Sequence, residues 1–214
     1  MSFLRMPRMR KNTDASLTTF TDAHIVKVVL MGAARAGKTS LLTRLLVDDY
    51  YPAYLPTLEP AAYKPGSCVY RLEKTVGKKS IAFDFYDTPG FYQSPPMREF
   101  LFALADVFIL VYAIDEYRSF QEICSILKEI RHKRPGANVL FIGSKTDLNA
   151  YRDITYDDVV KFGSSLGIEV FETSAKVDRS LYSRLMKYLQ PRALFELGNA
   201  DTSLKFKIER FFTR

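Results

Sequence analysis

Ile25–Thr39 reads IVKVVLMGAARAGKT. Ile25–Met31 is a short apolar run rich in β-branched side chains, the pattern of a buried strand. Gly32–Thr39 matches G-x-x-x-x-G-K-[ST], and the helical spacing of Leu41, Leu42, Leu45 and Leu46 predicts a helix over Lys38–Val47. The order is therefore strand, glycine loop, helix. In that setting the backbone N–H groups of the loop and of the helix N-terminus point at anionic oxygens, so the loop cradles phosphates. Gly37 permits close approach and an unusual backbone angle. Lys38 places a point charge between the β- and γ-phosphates, and the hydroxyl of Thr39 is a hard oxygen ligand for Mg²⁺. Ala34, Arg35, Ala36 and Ser40 belong to the same cradle.

Outward from this stretch the chain keeps alternating. Strands are predicted over Ser80–Asp87, Val107–Ile114, Asn138–Gly143 and Ile168–Glu172, and helices over Ser119–Arg134, Thr155–Leu166 and Ser180–Leu197. Strands alternating with helices imply a mostly parallel sheet covered on both faces, an α/β fold. In such sheets ligands bind outside the carboxyl ends of the strands. The 214 residues suffice for one such domain and 47% hydrophobic content supplies a full core. One folded domain is expected over residues 24–197, between a basic N-terminal arm (1–23) and a basic C-terminal tail (198–214).

Further chemistry falls at predicted strand ends. Asp87 closes a strand and opens Asp87-Thr88-Pro89-Gly90, placing a carboxylate where it reaches Mg²⁺, with the Gly90 N–H beside the γ-phosphate. Ser144-Lys145-Thr146-Asp147-Leu148 follows another strand. The Asp147 carboxylate accepts from guanine N1–H and the exocyclic amine, a pair that adenine does not offer. The alkyl stem of Lys145 lies along the base. After the last strand, Thr173-Ser174-Ala175-Lys176 has small residues that let a backbone N–H, that of Ala175, reach guanine O6.

From Ile25 to Phe195 these residues resemble the Ras superfamily of small GTPases, in its Ras-like branch. The resemblance implies a P-loop NTPase three-layer sandwich, with a mostly parallel six-stranded sheet and helices on both faces. It implies a GDP/GTP switch with Mg²⁺, in which γ-phosphate contacts order two loops and hydrolysis releases them. Thr57, eighteen residues after Thr39, matches the first-switch threonine that ligates Mg²⁺ and senses the γ-phosphate. Tyr50 matches the aromatic packed against the guanine. Met97-Arg98, Ala113-Ile114 and Ser119-Phe120 also fall at family positions. The implied metal ligands are Thr39, Thr57 and Asp87, and the implied catalytic set is Lys38, Thr57 and Gly90. Effectors would meet Tyr54–Glu59 and the loop Asp87–Phe102, and exchange and activating factors are implied partners.

The departures bear on catalysis. Ala34 replaces a glycine and crowds the space that the catalytic Gln and an arginine finger need. Phe91 replaces the water-positioning Gln, and an aromatic ring cannot orient water. Pro89 stiffens the same loop. Ser144 replaces an Asn and keeps a contact to the P-loop while losing one to the base. The Thr57–Asp87 interval is longer than usual, an insertion expected to extend the hairpin of the second and third strands near Tyr63–Lys79. The outcome is a switch with slow hydrolysis or, alternatively, a constitutively GTP-bound pseudo-GTPase acting as a binding module.

Net charge is +7, which favours acidic partners without choosing among them. No aromatic-and-basic nucleic-acid motif is present, so nucleic acid is not an expected partner. Cys68 and Cys124 form neither a disulfide framework nor a metal spacing. No apolar run reaches membrane-spanning length. The expected protein is a monomer, cytoplasmic or peripheral at the cytoplasmic face of a membrane. Ser2 and the absence of cysteine after Cys124 argue against myristoylation and prenylation. The N-terminal arm reads as a disordered segment, an organelle presequence or a membrane- or partner-binding arm. In Ser203–Arg214, Leu204, Ile208, Phe211 and Phe212 make an apolar stripe among basic residues, which suits either packing on the core or an anionic membrane surface.

Overall fold

The computed structural model describes residues 24–50, 69–76, 79–90 and 95–200. The N-terminal arm, residues 201–214, the Tyr54–Glu59 segment with Thr57, and Phe91 lie outside them, and the last helix runs three residues into the expected C-terminal tail. The elements run β1 (His24–Met31), α1 (Lys38–Val47), β2 (Val69–Val76), β3 (Lys79–Asp87), α2 (Pro95–Leu104), β4 (Val107–Ala113), α3 (Tyr117–Lys133), β5 (Asn138–Ser144), α4 (Tyr156–Ser165), β6 (Glu169–Glu172) and α5 (Leu181–Ala200). A short 3₁₀ turn, Thr146–Tyr151, follows β5.

The strands form one six-stranded sheet in the order β2-β3-β1-β4-β5-β6. Only β2 is antiparallel to its neighbour. β1 is the first strand in sequence but sits inside the sheet, and its side chains alternate between two cores. Val28 and Leu30 join Leu41, Leu45, Leu185 and Leu189 beneath α1 and α5. Val29 and Met31 join Leu101, Phe102, Ile123, Ile130 and Val159 beneath α2, α3 and α4. Helices therefore cover both faces, and the sheet is the middle of three layers. β4 is buried along its whole length, the mark of a parallel strand with helices on either side.

One expectation is corrected. The stretch Asp87–Phe102 is not all loop, because its second half belongs to α2, which buries Leu101 and Phe102. Pro95-Pro96 looks like a turn in sequence, yet proline is well suited to a first helical turn, where an N–H lacks a partner anyway. β2 and β3 pair in register from Val69↔Tyr86 to Val76↔Lys79. Most of the expected insertion near Tyr63–Lys79 lies outside the described residues. Among the described residues no helix is long and apolar enough to cross a membrane.

Candidate functional site

The carboxyl ends of β1, β3, β5 and β6 converge on one edge of the sheet, and the functional side chains sit there. β1 ends in the phosphate loop. Gly32 has φ 140°, and a Cβ on it would lie 2.1 Å from the Val111 carbonyl oxygen, so only glycine passes this point. Arg35, exposed in the loop, takes a left-handed φ of 61°. Gly37, also left-handed, leads directly into α1.

Lys38 is 5% exposed. Its ammonium donates to the carbonyls of Gly32 (2.7 Å) and Ala33 (2.8 Å), curling back over the loop. Burial pushes its pKa down to about 8, against the negative fields of Asp87 and Glu122. Such a desolvated cation gains most from an anion brought to it. Beside it the Thr39 hydroxyl donates to Asp87 Oδ2 at 2.6 Å. Two hard oxygens from α1 and β3 thus meet at the mouth of the loop. Among the described residues no cluster of three or more His, Cys, Asp or Glu gathers to cage a metal. A two-oxygen partial site suits Mg²⁺, which takes its remaining ligands from phosphates and water.

Gly90 packs directly against the loop. A Cβ on it would lie 2.3 Å from Ala34 Cα and 2.5 Å from Ala34 N. The neighbouring Thr88 hydroxyl donates to Leu30 O at 2.6 Å, tying the end of β3 to β1.

The base-side residues form a second, more heavily cross-linked group. Ser144 is 2% exposed, and its hydroxyl donates to Ala36 O at 2.6 Å, so the expected contact to the phosphate loop is made. Lys145 has a left-handed φ of 65°, and its ammonium lies 3.1 Å from Asp115 Oδ1. Asp147 Oδ1 accepts from Ser174 Oγ at 2.5 Å, with Lys176 Nζ 3.9 Å from Oδ2. Leu148 lies half-buried in the 3₁₀ turn. Thr146 N–H donates to Thr173 O, stitching the two turns together. The Ser174 hydroxyl accepts from the N–H groups of Lys176 and Val177. Among the described residues no acceptor takes the Ala175 N–H, the donor expected to meet guanine O6. Tyr50 packs, partly buried, against the core beneath α1.

Two features were not foreseen. Arg44 of α1 donates from Nε to Ala175 O (2.6 Å) and from Nη2 to Lys176 O (3.0 Å). In sequence it is an ordinary helix-face arginine, since nothing local reveals a partner more than a hundred residues away. Glu172, just before the second turn, accepts a bidentate pair from Arg152 (2.8 and 2.6 Å) and a bond from the Tyr112 hydroxyl (3.0 Å). Burial, with Glu172 beside it, raises the Tyr112 pKa. Gly143 makes room for this group, since a Cβ there would sit 2.6 Å from the Tyr112 oxygen.

Comparison with known proteins agrees with this layout. The chain matches the Ras family over residues 27–191. It is 29% identical to Ras-like protein 1 of Saccharomyces cerevisiae over 163 residues, 73% of this chain and 50% of that protein. It is 30% identical to Ras-like protein rasV of Dictyostelium discoideum over 155 residues, 72% of this chain and 64% of that protein. With Ras-like protein rasS of the same organism it shares 28% identity over 181 residues, 82% of this chain and 89% of that protein. It thus spans half of the yeast protein and less than two thirds of rasV. The matched segment runs from β1 into α5 and includes the phosphate loop and both base-side turns: this chain belongs to the Ras family.

Proposed function

We propose that the chain is a guanine-nucleotide switch that binds GTP or GDP with Mg²⁺ and hydrolyses GTP slowly. One observation carries this reading: buried Lys38, the Thr39–Asp87 oxygen pair and the Asp147–Ala175 turns lie along a single sheet edge. Loop N–H groups and Lys38 would hold the phosphates. Thr39 and Asp87, with Thr57, would hold the metal. Asp147 would accept from guanine N1–H and the 2-amine, and the Ala175 N–H would donate to O6. The bound ion would neutralise charge on the β- and γ-phosphate oxygens. The hydrogen bond of Ser144 to the loop makes the base and phosphate halves one rigid unit.

Slow hydrolysis is the reading that the sequence around Gly90 supports. Phe91 has no group to orient water, Pro89 restricts the loop that carries it, and Gly90 already sits against the Ala34 backbone. Loss of a water-positioning group removes much of the rate that a regulated switch gains from an activating partner. Tyr54–Glu59 and the Asp87–Phe102 stretch would then contact effectors for as long as GTP stays bound, with exchange and activating factors acting on the same loops. The same crowding favours the second reading, a permanently GTP-loaded binding module. The Ser203–Arg214 stripe would add affinity for an anionic membrane face.

The test is nucleotide extraction from the purified full chain, followed by single-turnover hydrolysis with Mg²⁺. Bound guanine nucleotide with slow turnover supports the switch. GTP that persists through purification favours the binding module. Turnover as fast as in relatives carrying the Gln contradicts slow hydrolysis, and absence of guanine-nucleotide binding contradicts the whole reading.

A further inference from the structure

The Arg44 guanidinium touches three parts of the molecule. It leaves α1, whose first turn carries Lys38 and Thr39. Its Nε and Nη2 donate to the carbonyls of Ala175 and Lys176. Its Nη1 donates to Asp48 O (3.0 Å) and Asp48 Oδ1 (3.1 Å), at the residue that ends α1 in a left-handed conformation with φ 51°. The Arg44 side chain is only 9% exposed, whereas that of Asp48 is 68% exposed. The two halves of the interaction are therefore unequal. The Asp48 carboxylate contact is an exposed i,i+4 pair that solvent screens. The two carbonyl contacts are charge-assisted, the one to Ala175 O part-buried and the one to Lys176 O exposed, and they hold the turn whose Ala175 N–H has no acceptor among the described residues.

We propose that Arg44 is a positioning residue for base recognition. It bolts the Ala175–Lys176 turn to the helix that grips the phosphates, and so sets both nucleotide residence time and preference for guanine over adenine. This rests on the guanine-nucleotide reading above. The geometry supplies the reason. A free N–H selects O6 over an adenine amine only if it is held at a fixed place, and the two carbonyls beside it are what Arg44 holds. The planar fork supplies Nε and Nη2 together in one plane. A lysine carries the same charge on a flexible stem and cannot reproduce that pair.

The experiment uses the full chain loaded with fluorescent GDP or ADP in Mg²⁺, comparing wild type with Arg44→Lys, Arg44→Ala and Asp48→Asn. The expected result for both Arg44 variants is GDP release faster by about tenfold or more, the scale of a lost charge-assisted pair. Their GDP-over-ADP preference should fall by a similar factor, while the dependence of release on Mg²⁺ concentration stays that of wild type. Asp48→Asn should stay within about twofold of wild type. Arg44→Lys is the deciding variant, because it keeps the charge and most of the apolar stem, so that folding is least disturbed. Wild-type release and selectivity in Arg44→Lys would overturn the proposal. So would an equal loss of GDP and ADP affinity, which marks general loosening, or an Asp48→Asn variant as fast as Arg44→Ala. Failure of the wild type to bind GDP is a different result: it overturns the nucleotide reading and this inference with it.

Discussion

The base end and the phosphate end of the sheet edge are built differently. At the base end nearly every polar group is tied down: Ser144 to Ala36, Ser174 to Asp147, Thr146 to Thr173, Arg44 to two carbonyls, and Glu172 to Arg152 and Tyr112. The phosphate end has a loop with a desolvated lysine, and Gly90, next to Pro89, packs against Ala34 of that loop. On the proposed function, the difference makes binding and turnover separable, because they would depend on different residues carried by different elements.

The hardest way to break that comparison is at Asp147. Replacing Asp147→Ala removes the acceptor for two guanine donors, and a site built to hydrogen-bond its ligand discriminates strongly. Guanine-nucleotide affinity should fall by about a hundredfold or more by fluorescence titration, with the preference over ADP largely gone. Turnover should respond to a different change. The double substitution Ala34→Gly with Phe91→Gln clears the crowded space and restores a water-orienting amide. Single-turnover hydrolysis should rise by about tenfold or more while GDP affinity changes little. If affinity moved as much as rate, the two ends would not be separable.

Smaller effects sharpen the picture of the base end. Gly143→Ala puts a Cβ into the Tyr112–Glu172 contact. It should lower stability by about 1–3 kcal/mol in thermal unfolding of the nucleotide-bound protein, since the buried pair must shift to make room. Ser144→Ala deletes a single buried hydroxyl donor and leaves Ala36 O without it, at a cost of about 1 kcal/mol. In stopped-flow measurement GDP release should quicken by a few fold, with hydrolysis of bound GTP unchanged.

Much of the fold was legible because its signals are local. β1, the glycine loop and α1 announce themselves by a buried apolar run, fixed glycines and a leucine stripe. β4 and β5 are visible for the same reason. The start of α2 was not foreseen, because the loop Asp87–Phe102 was drawn from the resemblance and Pro95-Pro96 in fact opens a helix. The register of β2 on β3, from Val69↔Tyr86 to Val76↔Lys79, was not legible, since no single strand reveals its pairing. At the site, the residue types at strand ends were legible, since a lysine after glycines or an aspartate closing a strand has few other uses. Arg44, Arg152 and Tyr112 were not. Their partners lie far away in the chain, and only the folded sheet brings them together.

The central claim is that this edge of the sheet reads guanine and grips phosphate as one unit. The most direct test is a calorimetric titration of nucleotide-free full chain with GDP, with ADP, and with GDP after Mg²⁺ is chelated. The expected result is tight GDP binding that weakens without Mg²⁺, and ADP binding weaker by orders of magnitude. Equal affinity for ADP and GDP, or no binding of either, would contradict the account.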